Sequence, residues 1–268
     1  MTTRPTTSRR RPLLTIAVLL VLAVAGVGLW YLFFRPSGPA PVSLGSTPGE
    51  TTTAGASRSV VPQETPAASG DPASADPAAT GESAGIDGTW VIDPSVGSFD
   101  DFSGSFVGYR VREELASVGA TEAVGRTPDV TGTLTVAGTT ITAAEFTADL
   151  TTLQSDEANR DRQLRRQGLE TGTYPTATFT LTQPIELASA PAEGGTFEAT
   201  AVGELTLHGT SKAVEIPVEA RLENGVVTVV GSLPVLFSDY GMQKPQAMVV
   251  LSVEDNGTME FQLQFTKP

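Results

Sequence analysis

The sequence contains no cysteine and only one histidine, His208. Without cysteine, the chain cannot form disulfide bonds, use a thiolate nucleophile, build a zinc-thiolate site or be lipidated at a lipobox. One histidine cannot form a metal site of two or three histidines, and a Ser-His-Asp triad would depend on it alone. The sequence therefore predicts no enzyme, no metal and no cofactor, and a hydrogen-bonding role for His208 beside the Gly209-Thr210 turn.

Basic residues are scarce outside the N-terminus. Five of the 17 basic residues lie in the first 35 positions, which hold no acidic residue, so residues 36–268 carry 12 basic and 30 acidic residues. Nucleic-acid binding needs a basic surface for the phosphates, and the acidic body argues against such a partner. The same charge argues against binding to anionic lipid surfaces by electrostatic attraction, whereas it favours solubility.

The N-terminus carries a long apolar run. Residues 13–34 read LLTIAVLLVLAVAGVGLWYLFF, without a charge. At about 1.5 Å per residue, a helix of this length spans the roughly 30 Å hydrocarbon core of a bilayer. Arginines at positions 9–11 precede it, and Trp30 and Tyr31 sit at its far end, where interfacial aromatic residues are common. The pattern predicts a single transmembrane helix in the cell membrane, with residues 1–12 in the cytoplasm and the rest extracytoplasmic.

A cleaved signal peptide is the alternative for this segment. Ala23-Val24-Ala25 could serve as an A-x-A cleavage site. The apolar run, however, continues for nine more residues, to Phe34. That length favours an uncleaved signal-anchor.

The next segment cannot form a core. Residues 35–85 are rich in Pro, Ala, Ser, Thr and Gly and have almost no large apolar side chain. This composition predicts a disordered linker, and a flexible coil of this length has a root-mean-square span of roughly 40 Å. The domain that follows, residues 86–268, could stand off the membrane or lean back onto it.

Residues 86–268 show an apolar/polar alternation with a period of two. Ala177, Phe179 and Leu181 alternate with threonines, which is typical of a strand with one apolar and one wet face. The same alternation recurs over residues 134–136, 204–208, 214–222 and 260–265. Sheets of this kind must stack as a sandwich or close as a barrel, and the pattern alone does not choose between them.

Three local signals refine this picture. Asn224-Gly225 and Asn256-Gly257 predict hairpin turns, and Pro217 predicts a strand edge or a bulge. Residues 155–168 instead predict a short surface helix, across an end of the sheet structure, capped by Ser155 and Gly168.

The predicted helix also holds the main basic cluster outside the N-terminus. Its arginines could bind the phosphate of a lipid head group, since guanidinium groups suit phosphate. The alternative is ordinary ion pairing with acidic residues of the same helix and compensation of its dipole. These arginines are Arg160, Arg162, Arg165 and Arg166.

Several segments of residues 88–267 together resemble the YceI-like family of polyisoprenoid-binding proteins. The resemblance rests on Trp90-Val91-Ile92-Asp93, Arg160-Asp161 with Leu164, Tyr174-Pro175-Thr176-Ala177-Thr178-Phe179, Gly203 to Lys212 (GELTLHGTSK) and Asp239-Tyr240-Gly241-Met242. It implies an all-β, eight-stranded antiparallel, lipocalin-like barrel with an apolar interior that holds an isoprenoid chain or a quinone tail. The chain departs from many relatives by lacking a histidine near residues 106–112.

Taken with this resemblance, the sequence predicts a membrane-anchored, extracytoplasmic, lipid-binding protein. The predicted apolar lining is Tyr109, Val111, Leu164, Phe179, Leu181, Leu205, Phe237, Tyr240 and Met242, with Arg112 and Arg160 near the head group. Each lining residue would equally suit a packed core. The alternative function is therefore a filled barrel that binds an envelope protein and no ligand, and an enzyme that uses His208 is a third, weaker hypothesis.

Overall fold

The computed structural model describes residues 38–44, 86–115, 119–244 and 250–268. The predicted transmembrane segment, residues 13–34, lies outside these ranges. Among the residues that are described, no helix is long and apolar enough to cross a bilayer.

The described chain is built almost entirely of strands. The strands are β1 (Gly88–Ile92), β2 (Phe106–Leu115), β3 (Gly119–Thr127), β4 (Val130–Ala137), β5 (Thr140–Asp149), β6 (Gln154–Ser155), β7 (Thr176–Leu181), β8 (Ile185–Glu186), β9 (Thr196–Leu207), β10 (Thr210–Glu223), β11 (Val226–Leu236), β12 (Val250–Val253) and β13 (Asn256–Thr266). The helical elements are α1 (Ala158–Gln163), a π-helical turn directly after it (Leu164–Gly168) and 3-10 turns at Leu150–Thr152 and Phe237–Tyr240.

Eight of these strands close into a barrel. The antiparallel order β1-β4-β5-β7-β9-β10-β11-β13 returns to its start because β1 also pairs with β13, where Val91 lies opposite Thr266. β1 pairs with only one end of β13. Towards the other end, β13 pairs with β2, β2 pairs with β3, and β3 pairs with β6. These three strands form the wall there, where β1, β4 and β5 form it at the first end. The predicted eight-stranded antiparallel barrel with one short helix is confirmed, and the sandwich is excluded.

One end of the barrel interior is filled with aromatic rings. Phe146 stacks on Phe179 with ring centroids 5.3 Å apart, and it meets Phe261 at 5.4 Å. Glycine makes room for the rings: a Cβ atom on Gly203 would lie 2.4 Å from the Phe179 ring, and one on Gly231 would lie 2.6 Å from the Phe261 ring. We call this region, with Trp90 and Phe265, the filled end.

The two predicted Asn-Gly hairpins have different outcomes. Asn224 and Gly225 have φ of 53° and 76° and form the turn between β10 and β11, as predicted. Asn256 and Gly257 are instead the first residues of β13, so that hairpin prediction is wrong. Gly257 serves a close approach there, because a Cβ atom would lie 2.8 Å from a methyl group of Val111.

Pro217 lies where β10 loses one of its two neighbours. β10 pairs with β9 along Thr210–Arg221, but with β11 only from Val218 onwards. The predicted strand edge is confirmed, because proline is tolerated where one side of a strand has no partner.

The predicted helix begins later than its sequence suggests. The side chain of Glu157, not that of Ser155, caps α1 by accepting a hydrogen bond from the Asn159 backbone N–H at 3.0 Å. Ser155 lies opposite Gly125 in the short β3–β6 pairing, which keeps it outside the helix. Its backbone N–H and hydroxyl both donate to the buried carboxylate of Asp161, at 3.0 and 2.6 Å. This contact ties α1 to the wall of the barrel.

Residues 38–44, which we call the strap, belong to the predicted linker and lie against the barrel. Arg110 donates to the Pro39 carbonyl at 2.5 Å, and Arg126 donates to the Ala40 carbonyl at 3.0 Å. Gly38 packs closely on β3, where a Cβ atom would lie 2.7 Å from a methyl group of Val124. The rest of the predicted linker, residues 35–37 and 45–85, lies outside the described residues.

The strap covers a buried ion cluster formed by Arg110, Arg126 and Glu260. The Glu260 carboxylate accepts from both arginines at 2.6 Å, and its side chain is 1% exposed. The Arg126 guanidinium also lies over the rings of Phe102 and Phe106, at 4.4 and 4.2 Å. Burial lowers the pKa of Arg126, against the opposing effect of Glu260. The cluster joins β2, β3 and β13 on the outside of the barrel.

Candidate functional site

The end of the barrel beside α1 encloses a cavity of about 520 Å³. Its walls come from β2, β3, β9, β11 and β13, and α1 with its π-helical turn lies across it. Most of the lining surface is apolar, and its larger aliphatic side chains include Val107, Val111, Leu150, Leu153, Leu164, Leu207, Val235, Met242 and Met259. Phe237 is an aromatic side chain in the lining. We call this region the cavity end.

Tyr109 is the most unusual residue of the lining. Its ring packs on Gly125, its partner in β3, where a Cβ atom would come within 2.4 Å of the ring. Its hydroxyl is buried beside the Ser155 side chain. Burial raises the pKa of Tyr109, so the hydroxyl stays protonated and can donate a hydrogen bond.

Arg160 of α1 is held at the cavity by two carboxylates. Its guanidinium lies 2.6 Å from Glu113 of β2 and 2.6 Å from Asp156, four residues before it. Burial alone would lower the pKa of Arg160, but both pairings raise it. The Glu113 side chain is only 7% exposed, so this contact fixes α1 on the barrel wall.

The structure brings together six of the predicted site residues in the cavity lining. These are Tyr109, Val111, Arg160, Leu164, Phe237 and Met242. Phe179 and Leu181 lie instead beside a smaller apolar pocket of about 90 Å³ at the filled end. Leu205 and Tyr240 are buried in the packed cluster next to the cavity, and Arg112 is exposed. Arg112 lies on the other face of β2 because its neighbours Val111 and Glu113 both line the cavity.

Several lining residues were not predicted. Glu113 follows Val111 by two positions on β2, so strand alternation alone would have placed it on the cavity face. Leu153 and Gln163 lie in a loop and in a helix, where a period of two gives no signal. Met259 was hidden because the Asn256-Gly257 pair predicted a turn rather than the start of a strand.

His208 has the predicted hydrogen-bonding role at its turn. Its Nε2 lies 2.8 Å from a Glu170 carboxylate oxygen, its Nδ1 lies 3.1 Å from the Tyr240 carbonyl, and its ring packs on Tyr174. In the described ranges, no three acidic or histidine side chains converge as metal ligands. The letters G-x-S-x-G occur once, at residues 81–85, which lie in the predicted linker and outside the described residues.

Comparison with protein families shows to which family the chain belongs. Residues 90–265, more than half of its length, match the YceI-like domain, and the chain belongs to this family. A comparison with curated proteins gives no match.

One of the similar solved structures has a TM-score above 0.5 and shows the same fold at low sequence identity. A polyisoprenoid binding domain from Saccharophagus degradans is 19% identical, with a TM-score of 0.51, over 61% of this chain and 94% of that chain. BcnA from Burkholderia cenocepacia is 20% identical with a TM-score of 0.47, over 65% and 98%. The YCEI protein of Campylobacter jejuni is 16% identical with a TM-score of 0.43, over 54% and 85%.

Proposed function

We propose that this protein holds an isoprenoid-type lipid, a polyprenyl chain or a quinone tail, in the cavity. The observation that carries the proposal is the cavity of about 520 Å³ with a largely apolar lining surface, at one end of a YceI-like barrel. Binding pockets for small molecules usually measure about 300–1,000 Å³ and are mostly apolar, with few polar groups. The polyisoprenoid binding named for the Saccharophagus degradans domain supports the same class of ligand.

The binding energy would come from burial of the tail. Each methylene group transferred from water contributes about 0.8 kcal/mol, less the cost of ordering a flexible chain. Because the barrel wall is already formed, the protein itself would need little rearrangement. The protein would therefore act as a carrier or store of a lipid rather than as an enzyme.

The second part of the proposal is that residues 13–34 anchor the protein in the cell membrane, with the barrel outside the cytoplasm. The apolar length and the preceding arginines support an anchor of this orientation. The strap supports a position close to the bilayer, because its first residue, Gly38, follows Phe34 by only four positions. A barrel held there could exchange a lipid with the membrane without using the reach of the remaining linker.

Lipid content tests the first part. The full chain would be extracted in its native bilayer with an amphipathic polymer, and its prenyl lipids would be quantified by mass spectrometry beside two variants. Val111→Trp places an indole in the cavity, whereas Arg112→Trp, one position along, places it on the outer face. We expect prenyl lipid near one molecule per protein in the wild type and in Arg112→Trp, and a loss of it in Val111→Trp.

Equal lipid content in all three proteins, at the level of the surrounding bilayer, would contradict the proposal. The same result after incubation with a prenyl quinone and with polyprenyl phosphate would favour the alternative, a barrel that binds an envelope protein and no lipid.

Cysteine labelling tests the orientation, since the chain has no cysteine of its own. Single cysteines would be introduced by Thr3→Cys and by Thr139→Cys, in the exposed turn between β4 and β5. In intact cells, a membrane-impermeant maleimide should label the second variant and not the first. The reverse pattern would contradict the proposed orientation, and release of the labelled protein from the membrane would indicate cleavage of the N-terminal segment.

A further inference from the structure

The end of β2 and the start of β3 lie at the cavity end of the barrel. Leu115, the last residue of β2, is opposite Gly119, the first residue of β3. Glu113, two residues before the end of β2, lines the cavity and binds Arg160 of α1, the helix that lies across it. Distance along β3 from its first residue therefore measures distance from the cavity end.

The strap crosses the outer face of β3 in a defined direction. Gly38, its first residue, packs on Val124. The carbonyl of Ala40, two residues later in the strap, accepts a hydrogen bond from Arg126, which is two residues later in β3. The strap therefore runs along β3 away from the cavity end. Its N-terminal end, which leads back to the predicted anchor, faces the cavity end.

The positions of the two guanidinium groups agree with this direction. Arg110, which binds the carbonyl of Pro39, also pairs with Glu122, three residues from the start of β3. Arg126 lies instead over the ring of Phe106, the first residue of β2 and thus distant from the cavity end. The strap carbonyls follow the same order.

The chain between the strap and the predicted anchor is short. Only residues 35–37 separate Gly38 from Phe34, so four steps of at most about 3.6 Å keep their Cα atoms within roughly 14 Å. Val124 lies five residues from Gly119, about 17 Å along the strand and about 13 Å along the axis of a barrel whose strands tilt by about 40°. The start of β3 can therefore lie level with the end of the anchor.

The filled end is too distant for the same tether. Arg110, beside the strap, is opposite Thr258 of β13, and β13 continues for eight more residues to Thr266 at the filled end. Eight residues span about 26 Å along the strand and about 20 Å along the barrel axis. This exceeds the reach of residues 35–37, so a docked strap favours a barrel whose cavity end faces the anchor.

An exposed apolar side chain lies at this same end. Leu236 is the one large hydrophobic residue that is exposed among the described residues, with 50% of its surface accessible. It is the last residue of β11 and lies opposite Asn256, the first residue of β13. A single exposed leucine is common on protein surfaces, so its position carries the argument. At a bilayer, such a side chain is stabilised at the boundary between head groups and acyl chains.

The exposed charges also differ between the two ends. At the filled end they are mostly acidic: Asp87, Glu186, Glu193 and Glu223 against Lys267. The cavity end has both signs, and its exposed basic residues are Arg112, Arg162, Arg166 and Lys244. A bilayer with anionic lipids repels an acidic surface within a Debye length, roughly 10 Å. The filled end is therefore the less favourable of the two for membrane contact.

We propose that the strap holds the cavity end of the barrel against the outer surface of a phospholipid bilayer, with Leu236 in contact with the lipids and the filled end pointing away. The inference rests on the proposed membrane anchor. It makes the strap a short tether, because only residues 35–37 of the predicted linker then separate the anchor from the barrel. The cavity opens towards the membrane in this orientation.

Quenching by nitroxide lipids tests the orientation. Since the chain has no cysteine, one fluorophore can be attached through Ser238→Cys, at the cavity end, or through Thr139→Cys, at the filled end, both exposed positions. The full chain would be placed in phosphatidylcholine nanodiscs in which some lipids carry a nitroxide on the head group. A nitroxide quenches only at short range. We expect severalfold stronger quenching of the label at position 238 than at position 139.

Three further variants assign the roles of the strap and of Leu236. With the label at position 238, Gly38→Val should detach the strap and lower the quenching to about the level at position 139, because the whole linker then separates barrel and anchor. Pro41→Val, at an exposed strap position, is the matched control and should leave the quenching unchanged. Leu236→Ser leaves the strap docked and should lower the quenching by less than Gly38→Val does.

The outcomes separate this inference from the membrane anchor. Quenching at position 139 as strong as at position 238 would overturn the inference while the anchor stands. Absence of quenching at both positions, in protein that stays with the nanodiscs, would overturn it as well, since the barrel would then stand away from the bilayer. Protein that does not stay with the nanodiscs would contradict the anchor itself, and the inference would fail with it.

Discussion

The two ends of this barrel are built on the same alternation of residues and differ in how the interior is occupied. At the filled end, the rings of Phe146, Phe179 and Phe261 meet near the barrel axis, with glycines beneath two of them. At the cavity end, the Tyr109 ring of β2 packs on Gly125, and aliphatic side chains form much of the rest of the lining. An eight-stranded barrel has room for packed side chains or for one small ligand, and in this chain one end holds packed side chains while the other holds a cavity.

The outer surface compensates for this difference. At the cavity end, β2, β3 and β13 are joined from outside by the Arg110–Glu260–Arg126 cluster and covered by the strap. The wall of the cavity is therefore stabilised from outside by buried charge and a covering segment, in addition to the packed cluster beside the cavity. The predictions below test this division, from the largest expected effect to the smallest.

Removing the shared carboxylate of the outer cluster should cost most. Glu260→Gln leaves two buried guanidinium groups without their charge partner, and breaking a buried ion pair typically costs about 3–5 kcal/mol. Glu122→Gln removes the half-exposed partner of Arg110, and it should cost less than about 1 kcal/mol. Thermal unfolding followed by tryptophan fluorescence would give the two free energies. Similar losses for both variants would mean that the cluster does not stabilise the cavity wall.

Truncating one phenylalanine at each end compares the two interiors directly. Phe179→Ala at the filled end removes a ring that is 3% exposed, and it should cost about 3–5 kcal/mol. Phe237→Ala enlarges a cavity that already exists, and it should cost less than about 2 kcal/mol because its ring has fewer contacts to lose. Both are measured by urea unfolding, and equal costs would contradict the distinction between a packed end and a cavity end.

Adding one methyl group to a glycine at each end sharpens the comparison. In Gly203→Ala the new Cβ atom would lie 2.5 Å from the Thr180 carbonyl oxygen as well as against the Phe179 ring, and backbone cannot yield cheaply. We expect a loss of about 1–3 kcal/mol. In Gly125→Ala the three nearest atoms to the new Cβ all belong to the Tyr109 side chain, and we expect this side chain to move towards the cavity. Stability should fall by less than about 1 kcal/mol, while binding of a prenyl hydrocarbon falls markedly.

Displacing the strap should have the smallest effect on stability. Gly38→Val puts a branched side chain against Val124 and should detach the strap without changing a barrel residue. Two charge-assisted hydrogen bonds would be exchanged for bonds to water, so we expect a loss of about 1–2 kcal/mol. Pro41→Val, at an exposed strap position, is the control and should change little. Hydrogen exchange along β2 and β3 would locate the effect, and unchanged exchange there would show that the strap is dispensable.

The sequence predicted the closed barrel better than it predicted the site. Alternation correctly identified Phe179 and Leu205 as buried positions, and Tyr109, proposed together with the family resemblance, lies in the cavity lining. Whether an inward residue lies at the filled end or at the cavity end depends on the register between strands, which pairs residues distant in sequence, such as Tyr109 and Gly125. Arg112 was placed near the head group although its position next to Val111 puts it on the opposite face of the strand.

Two further features could not be read from local sequence. The strap has the composition of a disordered segment, and its docking depends on Arg110 and Arg126, whose partners Pro39 and Ala40 contribute only backbone carbonyls. The cavity also depends on a glycine, because Gly125 leaves room for the Tyr109 ring. A second glycine in the lining, Gly257, resembled a turn residue because of the asparagine before it. In both cases backbone geometry, rather than side-chain type, determines the contact.

The position of a bound tail tests the central claim most directly. The full chain in nanodiscs would be irradiated with a prenyl hydrocarbon that carries a photoreactive diazirine, and the modified residues would be identified by peptide mass spectrometry. If the cavity end is the lipid site, the label should fall on lining residues such as Leu153, Leu164 and Met242, and Phe179 and Leu181 at the filled end should remain unmodified. Label at the filled end, or on the outer surface alone, would contradict the assignment of the cavity as the lipid site.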